Sequence, residues 1–320
     1  MKYGIIGAGA MGYRYGIMLQ ENAGCKVDFI ETWEPALTQV RHQGGVLVAR
    51  DHQNQHLVPI NIYSPEEYQG HPDVWIIFKK QMQLEEELAR DAAAGLFTPD
   101  QIAFSAMNGM GHFEKINQYF SADRILCGTA MIATRLNGPA NVDFMGATGT
   151  EVMHMARYNR AAPDKRSQAV AHDFAAAQLG PVWAEDWQGM CLSKVVFNAV
   201  CNTLCTMFEL QMGQFIAYEG VREMARQLFD EAYDACERAG IYLLESRQAM
   251  TESVITVSKA YQYHYPSMYQ DFAANRPTEV DYINGYIARL ARDHGFVCPT
   301  HEFVTHQVHL AETARQFKSA

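Results

Sequence analysis

What this 320-residue chain lacks narrows its class first. It has no run of 18 apolar residues, and no charged, apolar and small-residue leader before the opening MKYGIIG, so neither a membrane span nor secretion is expected. No Lys/Arg-dense stripe offsets a net charge of −10, made by 26 Lys+Arg against 36 Asp+Glu, which argues against a broad nucleic-acid footprint. A small anionic substrate remains compatible with that balance, since it needs one local cation or a few aimed donors. The seven cysteines are odd in number and scattered (Cys25, Cys127, Cys191, Cys201, Cys205, Cys236, Cys298), and no CxxC occurs. That usage points to reduced thiols in a cytoplasmic protein rather than to disulfides or a metal. Internal repeats and low-complexity tracts are absent too, and the length suits two domains, each with its own core.

What is present begins at the N-terminus. A short apolar strand, residues 2–6, runs directly into Gly7-Ala8-Gly9-Ala10-Met11-Gly12 and then a helix-like stretch to about Leu19. This is GxGxxG in the context that gives it meaning. The first glycine permits the turn, the second lets backbone approach a pyrophosphate, and the third allows close helix–strand packing. The helix amides and dipole then favour phosphate charge. The second strand, Lys26–Glu31, ends in an acid 19 residues after Gly12, where an NAD-binding fold places a carboxylate on the adenosine ribose. Thr32 and Trp33 follow, with no Arg to receive a 2′-phosphate, so NAD is expected over NADP.

Further along, a helix is expected near Pro35–His42 and strands near Gly45–Ala49 and Leu57–Tyr63, with Ser64–Glu67 as a capped helical turn. DVWIIF (73–78) and QIAFSAM (101–107) read as buried parallel strands ending in Lys79-Lys80 and Asn108-Gly109-Met110-Gly111, at the carboxyl edge where such sheets bind ligands. β-patterning continues from Ile125 to about Arg157, followed by a helix near Lys165–Leu179 and a strand at Val182–Glu185. Beyond residue 186 the pattern becomes helical. The reading is therefore an α/β Rossmann-type dinucleotide-binding domain over 1–186 and an all-α substrate and dimerisation domain over 187–320.

The helical half opens with CLSKVVFNAVCN (191–202), an apolar helix carrying Lys194, Asn198 and Asn202 at four-residue intervals. Four residues advance a helix by about 400°, so the three side chains form one row roughly 12 Å long. Buried unpaired polar groups cost roughly 1–3 kcal/mol each, so this row needs polar company or solvent. A solvated stripe and a ligand-facing wall are both open from this segment alone. Ser267 after Tyr265-Pro266, and Glu279 with Thr278 as a candidate cap, open two further helices, and helix capping is the bland account of each. His301, His306 and His309 suggest a metal cluster, but His301 and His306 stand i, i+5 rather than the i, i+4 of HExxH, so a surface helix without metal is expected.

Taken in order, GAGAMG, a strand ending in Lys80, NGMG at 108–111, Lys194-x3-Asn198-x3-Asn202, YPSMYQD at 265–271 and TEVDYING at 278–285 resemble the ketopantoate reductase (2-dehydropantoate 2-reductase) family over nearly the whole chain. ETW at 31–33, CNTLCT at 201–206 and HYPSMYQD resemble its NAD-dependent D-2-hydroxyacid (D-mandelate type) dehydrogenases. The resemblance implies a 2-oxo acid reductase with Lys194 as general acid and Glu279 orienting it. It also implies Asn198, Asn202 and Ser267 on the substrate carboxylate and its neighbouring oxygens, and Lys80 and Asn108 near the nicotinamide ribose and the reacting carbonyl. Gly7, Gly9, Ala10, Met11, Gly12 and Glu31 complete the cofactor set. Two departures stand out. NADP enzymes of the family carry Arg where this chain has Thr32. An Asn that contacts the extra hydroxyl of ketopantoate is replaced by Met212, which favours branched or aromatic 2-oxo acids.

The expectation is thus NADH-dependent reduction of a small-molecule 2-oxo acid to a D-2-hydroxy acid, with the substrate against the 191–208 helix and neither nucleic acid nor membrane as partner. The helices over Val221–Ala239 and Thr300–Phe317 are candidates for a homodimer surface. The alternatives are a genuine NADPH-dependent 2-dehydropantoate 2-reductase, a β-hydroxyacid dehydrogenase, which usually carries more glycine before its Lys-x3-Asn than Gly189 alone, and a silent dinucleotide sensor.

Overall fold

A computed structural model of the chain describes residues 1–130, 132–146, 148–149 and 151–319, with residues 318 and 319 described by their backbone alone. The chain forms two compact units, residues 1–107 with 112–187, and residues 108–111 with 188–320. The NGMG turn, which the sequence groups with the dinucleotide-binding half, packs with the helical unit.

The first unit carries strands β1 (Lys2–Ile6), β2 (Lys26–Ile30), β3 (Val46–Arg50), β4 (Gln53–Val58), β5 (Asn61–Tyr63), β6 (Val74–Ile77), β7 (Ile102–Ser105), β8 (Ile125–Ala130), β9 (Ala133–Gly138), β10 (Asn141–Met145), β11 (Met153–Arg157) and β12 (Pro181–Trp183). Its helices are α1 (Ala10–Ala23), α2 (Glu34–Gln43), α3 (Leu84–Ala93), α4 (His112–Ile116) and α5 (Lys165–Ala176). The main sheet runs β12-β11-β8-β7-β6-β1-β2-β5. From β5 through β8 it is wholly parallel, in the doubly wound order with its switch point between β1 and β6. β6 and β7 are buried at every position, which is why their sequences run apolar without alternation. Only β11 on β8 departs from the parallel arrangement expected.

Three features of this unit were not legible in the sequence. The Leu57–Tyr63 run is two strands in different sheets, because Pro59 between them has no N–H to continue a ladder. β4, β3, β10 and β9 form a separate four-stranded sheet. It is tied to α1 by Arg14, 1% exposed, which donates to the carbonyls of Ala133 at 2.6 Å and Met145 at 2.8 Å and lies over the Phe144 ring. The third is α3, a helix not assigned from the sequence, with three acids in its first turn and Leu84 and Leu88 wholly buried.

The second unit is helical: α6 (Trp187–Met207), α7 (Met212–Phe215), α8 (Val221–Arg238), α9 (Arg247–Ala260), α10 (Ser267–Ala273), α11 (Asn284–Asp293) and α12 (Pro299–Ser319). By length and apolarity α6 resembles a membrane span, the one described helix that does, yet 89% of that window is buried within the protein: it is a core helix. A buried polar chain pins its neighbours. Asn284, on α11, donates to the Ala199 carbonyl of α6 at 3.0 Å and approaches His301 Nδ1 of α12 at 3.3 Å, while His301 Nε2 meets the Leu228 carbonyl of α8 at 2.9 Å. A carbonyl can only accept, so Nε2 carries the proton and Nδ1 accepts from Asn284. The surface helix expected around His301 is therefore wrong for that residue, which is fully buried. Its partners lie 17 and 73 residues away in sequence, beyond the reach of any local pattern. Among the described residues no cluster suited to a metal occurs. All seven cysteines are free and six are buried.

Two buried imidazoles make stability pH-dependent. Burial pushes His112 down to about 3 and also lowers His301. Both are neutral in the fold and take up a proton on unfolding, so their contribution is complete above pH 6.5 and is lost as pH falls below it. For His112 the loss at pH 5 is about 2 kcal/mol. Burial raises Asp91 to about 7 and works in the opposite direction, so the test isolates the imidazole. The stability lost in His112→Gln, from urea denaturation, should be smaller at about pH 5 than at about pH 7.5, and an equal loss at both would exclude a buried neutral His112.

Candidate active site

The first unit brings together the glycine turn and the acid after β2. Gly7 has φ +98°, a left-handed value open to glycine. A Cβ on Gly12 would lie 1.9 Å from the Gly7 carbonyl oxygen, so only a glycine lets α1 start this close to the turn. A Cβ on Gly9 would meet nothing within 4 Å, and no side chain caps α1 there, leaving its first amides available to an anion. Ala10 and Met11 open the helix. Glu31 is 7% exposed and accepts from the backbone N–H groups of Ala8 at 2.6 Å, Thr32 at 2.7 Å and Trp33 at 3.0 Å. One carboxylate thus ties the glycine turn to the end of β2. These residues fit a dinucleotide: open amides for the pyrophosphate and a fixed carboxylate for the ribose.

Of the two lysines after β6, Lys79 rather than Lys80 stands beside Glu31, at 3.5 Å, and it also meets Glu87 at 2.7 Å. Lys80 is half-buried and has contacts of its own. Nothing in the sequence pattern singled out Glu87.

In the second unit the Lys194–Asn198–Asn202 row lies on α6, the helix most deeply embedded in the core. Asn198 and Asn202 are 7% and 8% exposed, and Lys194 is half-buried. The solvated-stripe reading is thereby excluded. No hydrogen bond among the described residues engages either amide side chain, whereas Thr203 and Thr206 on the same helix return their hydroxyls to the carbonyls of Ala199 and Asn202. Burial lowers the Lys194 ammonium from 10.5 to about 8, against the opposing pull of Cys191 and Glu279. Glu279 itself is 8% exposed.

Glu279 does not sit in the first turn of an α-helix as expected. It precedes a 3-10 turn, Val280–Tyr282, and α11 begins only at Asn284. Nor does Thr278 cap it: the hydroxyl is buried without a partner, and its N–H donates to Glu312 at 2.7 Å. The same turn holds the NGMG segment, since Met110 N–H donates to the Tyr282 carbonyl at 2.9 Å. Gly109 has φ +80°, and a Cβ there would press on Tyr282 at 2.8 Å. Asn108 is half-buried at the head of this turn. Ser267 is the first residue of α10, half-buried, with Tyr265 and Tyr269 stacked at 4.4 Å on either side of it in sequence. Met212 is off the α6 row, on α7. It is buried, and its N–H donates to the His264 carbonyl at 3.0 Å.

The Gly12 contact gives a direct test of the turn. Gly12→Ala should weaken dinucleotide binding at least about tenfold by fluorescence titration, with the circular dichroism spectrum retained; an unchanged affinity would remove the turn from the cofactor site.

Comparison with known proteins agrees with this geometry. Family models for the ketopantoate reductase PanE/ApbA N-terminal and C-terminal regions match residues 3–157 and 186–312. The 2-dehydropantoate 2-reductase of Streptococcus pyogenes serotype M1 is 28% identical over 309 residues, 96% of this chain and 97% of its own. D-mandelate dehydrogenase in ternary complex with NADH and anilino(oxo)acetate superposes with a TM-score of 0.89 at 26% identity, covering 98% of this chain and 99% of that one. The dimeric ketopantoate reductase of Staphylococcus aureus, 19% identical over 98% of this chain and 99% of its own, shares the fold with a TM-score of 0.79. A Rossmann-type α/β domain followed by a helical domain, with a site for a nicotinamide dinucleotide, places the chain in the ketopantoate reductase (PanE/ApbA) family of NAD(P)-dependent oxidoreductases.

Proposed function

We propose that the chain is an NADH-dependent reductase that converts a branched or aromatic 2-oxo acid to the D-2-hydroxy acid. Residues 1–186 serve as the dinucleotide-binding domain and 187–320 as the substrate domain. The observation that carries the reading is the row on α6: a half-buried ammonium followed by two amides, 7% and 8% exposed, whose side chains make no hydrogen bond among the described residues. Such amides have N–H groups to offer a carboxylate or keto oxygen beside the ammonium.

The bound nicotinamide supplies the hydride. Lys194 polarises the carbonyl oxygen, stabilises the growing alkoxide and gives up its proton to it. A pKa of about 8 suits a general acid here, because the group is charged at neutral pH and close to matched for proton transfer. Glu279 holds the ammonium in place through its charge. Asn198, Asn202 and Ser267 orient the acid, and Asn108 and Lys80 serve the ribose and carbonyl end. Met212 presents a thioether where recognition of an extra hydroxyl would call for a polar group, which supports an apolar substrate side chain. The D-mandelate dehydrogenase relative binds an aromatic 2-oxo acid analogue together with NADH, which favours the same substrate class.

Glu31 supports NADH over NADPH, and the free, mostly buried thiols support a reducing compartment such as the cytoplasm. Phe303, Leu310 and Phe317 on α12 are 62%, 68% and 80% exposed at seven-residue intervals, one apolar seam on which a homodimer can form.

Lys194→Ala should lower kcat by roughly 10²–10⁴-fold with Kd for NADH unchanged; a loss under about tenfold would exclude it as the general acid. For the native protein, kcat/KM for reduction should fall as pH rises through about 8, as the ammonium deprotonates. Phenylglyoxylate and 2-oxoisovalerate should be reduced with higher kcat/KM than ketopantoate, and efficient ketopantoate turnover would overturn the role given to Met212.

A further inference from the structure

The strongest unexplained cluster in the first unit surrounds Lys79. Its ammonium lies 2.7 Å from Glu87 Oε2, 3.5 Å from Glu31 Oε1 and 3.3 Å from the Thr32 hydroxyl, and its side chain is 9% exposed. Thr32 in turn donates its hydroxyl proton to Glu87, at 3.1 Å to one oxygen and 3.3 Å to the other. Glu87 therefore holds both donors that stand next to the ribose carboxylate, one on the residue after Glu31 and one on the strand end that faces it. Arg90, the next cation on α3, is committed to Glu66 at 2.7 Å. Asp91, one turn beyond Glu87 and 1% exposed, adds a third carboxyl close enough to feel Lys79.

We propose that Glu87 is a second determinant of dinucleotide choice, excluding a 2′-phosphate by sequestering Lys79 and Thr32. This rests on the NADH reading of Glu31 and goes beyond it. A 2′-phosphate brings up to two negative charges and needs donors. Here it would meet two carboxylates and one ammonium already paired to both. To accept it, Lys79 and Thr32 would have to leave Glu87, stranding a largely buried carboxylate beside a dianion. A 2′-hydroxyl makes no such demand, because it donates to Glu31 and leaves the cluster intact. Glu31 repels the phosphate directly, whereas Glu87 removes the means of compensating it.

The test is binding rather than turnover. Kd values for NADH and NADPH are measured by fluorescence titration for the native protein, Glu87→Gln, Glu87→Ala and the double variant Glu87→Gln/Lys79→Met. Making both single variants means that one failing to fold leaves the other to decide. Neutralising Glu87 should tighten NADPH binding about tenfold while NADH changes less than about threefold, and the gain should shrink as salt rises from about 0.05 to about 0.5 M. Removing Lys79 in the double variant should abolish it. A ratio of NADPH to NADH affinity unchanged within about twofold in both single variants overturns the role of Glu87 and leaves the NADH preference standing. A native protein that binds NADPH more tightly than NADH overturns the NADH reading, and this inference with it.

Discussion

One helix has to serve as the core of the helical unit and also to carry its polar chemistry, and the structure is arranged around that conflict. α6 is buried over most of its length, yet it holds Lys194, Asn198, Asn202, Thr203 and Thr206. Each polar group must find a partner or leave a cost of roughly 1–3 kcal/mol. The threonines solve this locally by returning their hydroxyls to carbonyls one turn back. On another flank, Asn284 and His301 form a relay from the Ala199 carbonyl to Leu228, which fixes α6, α8, α11 and α12 to one another. Lys194, Asn198 and Asn202 are the ones spaced four apart: Lys194 has partners of its own, the Glu279 charge among them, while the Asn198 and Asn202 side chains make no hydrogen bond among the described residues.

The dinucleotide half meets a different constraint, that of bringing backbone close to a charged ligand without filling the space. Gly12 gives up its side chain so that α1 can start against the Gly7 carbonyl, while the space over Gly9 stays open. Glu31 accepts three backbone amides and so holds the turn in place, and those amides would lose their acceptor if it were removed. Glu87 makes no such bond to the turn among the described residues; its partners are Lys79 and Thr32.

Some of this was legible from residues alone. GAGAMG announces itself because its physics is local: steric room at three positions within six residues, a strand before and a helix after. The Lys194 row is equally legible as a spacing, because helix geometry converts a four-residue interval into a shared face. Its burial is not legible, since an apolar helix with three polar residues can lie with that face in water or in the core. His301 shows the same gap more sharply. Nothing near it in sequence betrays that Asn284 and the Leu228 carbonyl hold it. Glu87 is one of three consecutive acids at the start of α3, with no local feature that sets it apart, and family spacing selected Lys80, whereas Lys79 is the lysine beside Glu31.

The sequence by itself determined the class of protein: a parallel-sheet dinucleotide domain followed by a helical one. Both rest on short-range rules, namely glycine sterics, strand and helix periodicity, and charge at a strand end, whereas the candidate site residues of the helical half were readable only through resemblance to a family. Tertiary structure decided which polar groups are buried, which lysine meets Glu31, and that a carboxylate from α3 holds both neighbouring donors. Those facts depend on contacts between segments 47 to 55 residues apart, and no local pattern encodes them because burial and pairing are properties of the packed chain.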